Sequence, residues 1–125
     1  MTYPAAHDAG LSLTSWTEHG HLIAALGGDL DIASAPALRE ELLSLLHPAV
    51  SGLIIDLSAV GYADASGLAV LVGTGRRAGL LGGFLRLAAP SPEVARVLSA
   101  TGIIRHLDIF PTVQAAIASQ RRIAA

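Results

Sequence analysis

Ser66 is the side chain best placed to do chemistry. It stands in Asp64-Ala65-Ser66-Gly67-Leu68, two positions after a carboxylate, where a run of small residues gives way to a helical pattern. The amino end of a helix presents unpaired backbone N–H groups and the positive pole of the helix dipole, and both favour an anion. A phosphate on Ser66 would be accommodated there without unfolding its host, and it would add up to about two negative charges. The commoner role of a serine at such a position is to cap the helix. Spacing alone leaves both readings open.

The helix expected from Ser66 to about Ala78 carries Leu68, Leu71, Val72 and Gly75 on a core-facing stripe. Ala69, Val70 and Gly73 fill much of the remaining surface without a charge, and Arg76 and Arg77 come only at its end. A helix this apolar all round is either buried on every side or presents a partner surface. On the second reading the partner-binding set is Asp29, Asp64, Ala65, Ser66, Gly67, Ala69, Val70 and Gly73. A phosphate at the edge of that surface would repel a partner by charge and by desolvation cost. Asp64 is adjacent, and Asp29 and Asp31 follow a strand whose end is expected beside the strand that leads into Ser66.

Other chemistries find less support. Gly73-Thr74-Gly75 opens like a dinucleotide fingerprint, but it lies inside a helix and lacks the third glycine, so helix–sheet packing explains it. Asp64-Ala65-Ser66-Gly67 is not G-x-S-x-G and has no evident histidine base, which argues against a serine hydrolase. His19 and His21 would share one strand face as metal ligands or as an exposed hairpin pair. Asp29, Asp31, Asp56 and Asp64 could form a magnesium cluster at strand ends, with capping and turn roles as the plainer account. No metal or cofactor is expected.

The elements that position Ser66 follow from periodicity. Leu11 to Glu18 (LSLTSWTE) alternates as a half-wet strand, and His21 to Gly27 (HLIAALG) is an apolar strand paired with it across a His19-Gly20 turn. After a Gly28-Asp29-Leu30-Asp31 turn, Pro36 to about His47 reads as an amphipathic helix with Ser34 or Ala35 at its cap. Leu53 to Leu57 (LIIDL) is a short buried strand. A turn rich in small residues then leads to the Ser66 helix. Gly82 to Ala89, a Ser91-capped helix ending at Gly102, a strand over Leu107 to Phe110 and a helix from Thr112 complete the order β-β-α-β-α-β-α-β-α, with Arg121 and Arg122 in the last turn. This alternation predicts an α/β domain. Its mixed, mostly parallel sheet has about five strands, with about four helices and an N-terminal β-hairpin. Residues 1–10 read as a flexible arm and 11–125 as one domain.

A chain of 125 residues is expected to bury roughly two-thirds of its unfolded surface without staples. It has no cysteine, which removes disulfides and thiolate metal sites and fits a reducing cytoplasm. The net charge of -2 argues against nucleic acid or anionic lipid as a partner. Hydrophobic residues reach 52%, yet no apolar stretch is long enough to span a membrane, and the N-terminus lacks a secretory pattern.

Three segments resemble the STAS domain family (sulphate transporter and anti-sigma factor antagonist), above all its stand-alone bacterial anti-sigma factor antagonists. Gly28-Asp29-Leu30-Asp31 with Ala35-Pro36-Ala37-Leu38 is similar to the family's G-E/D-L-D turn and first helix. Leu53 to Ser58 and Tyr62 to Leu68 resemble its strand–loop–helix with the D-S-S-G-L signature. Thr101-Gly102-Ile103 to Phe110, with Val113 to Ala116, is similar to its carboxyl-terminal helix–strand–helix. The resemblance spans about Leu11 to Ala118. It implies that Ser66, matching the second serine of the signature, is the phosphorylated residue, and that Asp29 and Asp64 are the acidic residues near it. The first serine is replaced by Ala65, which leaves one acceptor. It further implies partner switching. The unphosphorylated domain binds an anti-sigma factor that is also a serine kinase of the histidine-kinase-like ATPase type. Sigma factor is freed, phosphorylation of Ser66 releases the antagonist, and a serine phosphatase resets it, in a stress response or in sporulation. The antagonist itself would be no enzyme, and would be a monomer or weak dimer. The alternatives are a STAS scaffold subunit of a lipid-transport ATPase or stressosome-like complex without a phosphorylation cycle, and a small-ligand or nucleotide-binding domain using the Asp29/Ser66 region.

Overall fold

The computed structural model describes residues 3–4, 10–50 and 52–119. The expected strands and helices are all there: β2 (Ser12–Glu18), β3 (His21–Leu30), α1 (Ala35–Leu45), β4 (Leu53–Ala63), α2 (Ala65–Leu80), β5 (Leu85–Ala88), α3 (Pro92–Ala100), a 3₁₀ turn (Ile103–Arg105), β6 (Asp108–Phe110) and α4 (Val113–Ala118). A two-residue strand, β1 (Tyr3–Pro4), pairs antiparallel with Thr14 and Ser15 of β2, so the sheet has six strands rather than five. An otherwise open strand edge carries unpaired N–H and C=O groups that such a segment can satisfy. The rest of the 1–10 arm, apart from Gly10, and the Arg121-Arg122 end of the last helix lie outside the described residues.

The strands lie in chain order across the sheet. β2 and β3 form the antiparallel hairpin, and β3, β4, β5 and β6 run parallel. Strand alternation sorts the core into two layers. On one face, Leu26, Ile55, Leu57 and Leu87 pack with Leu38 and Leu42 of α1, Leu68 and Leu71 of α2, and Val94 and Leu98 of α3. On the other, Ile23, Ile54 and Ala88 pack with Ala116 of α4, flanked by Trp16 and Phe110. Arg86 points into this second layer and is 4% exposed. Its guanidinium lies 4.1 Å from the Phe84 ring centroid, and its Nη1 donates to the Ala116 carbonyl at 2.8 Å. A cation bound to a carbonyl in the last turn of a helix suits that helix's negative pole.

β3 and β4 both run past their expected ends. The Gly28-Asp29-Leu30 stretch is strand, and so is the small-residue stretch Ser58–Ala63. Two bulges explain why. Between the Asp56↔Ala25 and Ala59↔Gly27 pairs, three steps of β4 answer two of β3; between Val60↔Gly28 and Tyr62↔Asp29, two answer one. Each extra residue turns β4 over once. Leu57, Val60 and Ala63 therefore face the core at a spacing of three, where period-two reading finds no strand. Gly28 sits at φ +90° with its Cα against the Gly10 carbonyl, which leaves no space for a side chain.

α4 is tied to the hairpin by Gln114, whose Nε2 donates to Glu18 Oε2 at 3.0 Å, while Trp16 Nε1 donates to Glu18 Oε1 at 3.1 Å. The Gln114 bond first, and then that of Trp16, hold the Glu18 carboxyl below its ordinary 4.5. A carboxylate with a depressed folded value contributes stability that is present above the unfolded value and lost as pH falls through the folded one. Gln114→Ala will therefore lower the urea midpoint at pH 7, and this difference from wild type will shrink below pH 4.5. A gap between the two midpoints that stayed constant down to pH 3 would show that the bond is not charge-assisted.

Candidate functional site

Ser66 stands where the long β3 and β4 end together. Asp29 pairs with Tyr62 and Leu30 with Ala63, and the Asp64 N–H donates to the Leu30 carbonyl at 2.9 Å, which closes the strand pair. The chain turns into α2 at once. Asp64 is extended (φ -120°, ψ 177°), and its Oδ1 accepts the Gly67 N–H at 3.0 Å. Asp64 is thus the N-cap, a position that favours aspartate, and Ser66 is not. Ser66 is the second residue of the helix. It is exposed, and its hydroxyl has no hydrogen-bond partner among the described residues. Gly67 is buried, and a Cβ there would overlap the Leu30 carbonyl oxygen. Glycine at this position lets the first turn of α2 lie on the end of β3.

The neighbouring turn is held as firmly. Asp31 Oδ1 accepts the Ser34 N–H and Ser34 Oγ accepts the Asp31 N–H, each at 2.9 Å. The same hydroxyl donates to the Asp29 carbonyl at 2.7 Å. Ser34 holds the N-cap position of α1, but its side chain bonds back into this turn instead of capping the helix. Asp29 is left exposed, with no hydrogen bond to its carboxylate among the described residues. Asp56 Oδ1 accepts from Ser58 N at 2.9 Å. The carboxylates of Asp31, Asp56 and Asp64 are thus all engaged by nearby backbone amides, the turn and capping roles that compete with a magnesium cluster. No group of three or more candidate metal ligands gathers among the described residues. His19 lies in the hairpin turn at φ 49°, and His21 Nδ1 is 3.1 Å from the His19 carbonyl.

The expected surface set divides. Asp29, Ala65, Ser66, Ala69 and Gly73 are exposed, and Asp64 is half-buried. Val70 is 5% exposed and belongs to the core. It leaves the candidate surface because α1 lies against that flank of α2, joined there by buried Thr74. Gly67 is likewise inside. The glycines of Gly73-Thr74-Gly75 have separate surroundings. A Cβ at Gly75 would meet Leu107 Cδ2 at 3.0 Å, whereas one at Gly73 would meet nothing within 4 Å. Gly75 therefore serves packing, and Gly73 leaves open surface beside Ala69.

Two residues at the site escaped sequence reasoning. Ile32 is 74% exposed in the Asp29–Ser34 turn, and Tyr62 is 52% exposed beside Asp29. They add exposed apolar surface at the end of the sheet where α2 begins, Tyr62 sharing a shallow pocket with Glu93, Arg96 and Val97 of α3. The signal was an isoleucine placed between an aspartate and an alanine inside a turn, where apolar side chains have no local reason to be.

Comparison with known proteins bears on the family and the fold. The family model described as STAS domain matches residues 15–116. The chain is 38% identical over 84 residues to the anti-sigma-B factor antagonist of Bacillus subtilis (strain 168), covering 67% of this chain and 76% of that one. It is 26% identical over 111 residues to the anti-sigma-F factor antagonist RsfB of Mycobacterium tuberculosis, covering 89% and 90%. Among solved structures, an anti-sigma factor antagonist from Mycobacterium paratuberculosis superposes with a TM-score of 0.77 at 26% identity over 86% of this chain and 91% of that one. SpoIIAA of Bacillus shares the fold in its unphosphorylated form (TM-score 0.69, 22% identity, 84% and 92%) and in its phosphorylated form (0.62, 21%, 84% and 96%). With the matched region covering most of the chain and the sheet order, capped α2 and exposed serine in place, the chain belongs to the STAS domain family.

Proposed function

We propose that the chain is an anti-sigma factor antagonist that binds an anti-sigma factor through the surface around Ser66 and is released when that partner, acting as a serine kinase, phosphorylates Ser66. Release returns the anti-sigma factor to its sigma factor, and a serine phosphatase restores the binding form. The observation that carries this reading is the division of labour at α2. Asp64 caps the helix, so Ser66 has no capping role and its hydroxyl is left exposed at the positive end of the dipole. Exposed Ala65 and Ala69 on α2, and exposed Asp29, Ile32 and Tyr62 at the adjoining ends of β3 and β4, provide mixed acidic and apolar surface at this end of the fold, and the relatives are named for antagonism of anti-sigma factors. The chain's part is that of a regulator and not an enzyme. Among the described residues no helix is long and apolar enough to cross a membrane.

The test is intact mass before and after incubation with ATP and the host's candidate kinase anti-sigma factors. Wild type will gain one phosphate, and Ser66→Ala will gain none. A phosphate on both proteins would move the acceptor elsewhere. None on wild type with every candidate kinase would remove the phosphorylation cycle.

A further inference from the structure

We propose a second binding site, for a small phosphorylated ligand, in the cleft between the carboxyl-terminal half of α2 and the segment Ile104–Asp108. The cleft has a volume of about 500 Å³, within the range of small-molecule sites. Its charged lining is Arg76 from α2 and Arg105, His106 and Asp108 from the opposite wall. Arg76 and Arg105 are both exposed, and neither forms an ion pair among the described residues. Two guanidiniums against one carboxylate leave the cleft positive in a chain whose net charge is -2. Guanidinium is the side-chain group best matched to phosphate, since its fork of N–H donors meets two oxygens at once.

Two glycines of α2 line the cleft. Gly75 must be small because of Leu107, but Gly79, also on the cleft, would meet nothing within 4 Å if it carried a Cβ. Gly79 lies exposed in the last turn of α2, so the helix backbone there is bare toward the cleft and open to a ligand. The negative pole of α2 at this end does not face the ligand bare, because the carbonyls of Arg77, Ala78 and Gly79 accept N–H groups from Leu81, Gly82 and Gly83. Val72, Leu85 and Leu107 supply an apolar floor for the organic part of the ligand.

Arg76 is ten residues beyond Ser66, about 15 Å along the helix axis. This site therefore stands or falls separately from the proposed phosphorylation switch. The experiment is an amide NMR titration of the unphosphorylated full chain with inorganic pyrophosphate and, separately, with ADP. Saturable shifts confined to residues 72–79 and 104–108 are expected, weakened at least tenfold in Arg76→Gln/Arg105→Gln and in Gly79→Leu, both folded by urea denaturation. Tighter binding of ADP would show that the organic part is recognised. Equal affinity would show that the phosphates alone are read. No saturable shift with either probe at millimolar concentration, shifts centred on Ser66, or equal binding by the variants would overturn the site.

Discussion

Val70→Asp will cost the fold about 4 kcal/mol or more, whereas Ala69→Asp, one residue earlier in the same helix, will change stability by no more than about 0.5 kcal/mol and weaken partner binding at least tenfold. The contrast comes from a 100° turn of helix. Val70 is 5% exposed and packs in the main core on the flank of α2 that meets α1. A carboxylate there loses the burial of the valine, and the cations on that flank, Arg39 and Arg77, are exposed at the rim and not buried beside it. Such a group either stays charged at high cost or takes up a proton, and either way the folded state is weakened. Ala69 faces solvent beside Gly73, where an aspartate finds water but also stands on the surface proposed to meet the anti-sigma factor. Urea denaturation of both variants, with calorimetric titration of Ala69→Asp against the partner, checks the pair. Stability of Val70→Asp within 1 kcal/mol of wild type would show that this flank is solvent-facing after all.

That pair also marks where sequence reading reached its limit. The βαβ alternation, the hairpin and the core stripe Leu68–Leu71 were legible because strand and helix periods are strong local signals. Val70 was not. A helix apolar on every side does not show which side a neighbour covers, and only the position of α1 decides it. The extension of β4 was hidden for a different reason, since two bulges replace a period of two with a spacing of three at Leu57, Val60 and Ala63. The Ser66 site was found by residue type, but its logic was only half visible. Asp64 and Ser66 both suit an N-cap, and one residue of helix register separates a structural serine from an available one. Ile32 and Tyr62 stand on turn and strand-end backbone that pattern rules treat as punctuation. Arg86 went unremarked because a single arginine in a strand looks like a surface charge until Ala116 and Phe84 are seen around it.

Phosphorylation of Ser66 will weaken binding to the anti-sigma factor by about 100-fold or more while leaving the domain as stable as before. The two halves of this expectation arise from the same geometry. Ser66 is the second residue of α2, so its phosphate lies near the first-turn N–H groups and the positive pole, an interaction that typically adds about 0.3–1 kcal/mol to a helix. The cap is already made by Asp64 to Gly67, and a phosphate on Ser66 displaces no hydrogen bond of the Ser66 hydroxyl among the described residues. At the interface the balance is opposite. Burying a dianion on the exposed α2 surface that carries Ala65 and Ala69, at the same end of the sheet as exposed Asp29, brings desolvation and like-charge costs on the order of several kcal/mol, and each 1.4 kcal/mol is a factor of ten in affinity. Ser66→Ala will bind like unphosphorylated wild type whether or not ATP is present, and Ser66→Asp will fall between, having one charge where phosphate has about two. Calorimetric titration of the four forms, beside their thermal midpoints, separates the physical causes. If phosphate lowered the midpoint by several degrees and reduced helical circular dichroism, release would come from melting the start of α2 and not from surface repulsion. Unchanged affinity of the phosphorylated form would remove Ser66 from the interface.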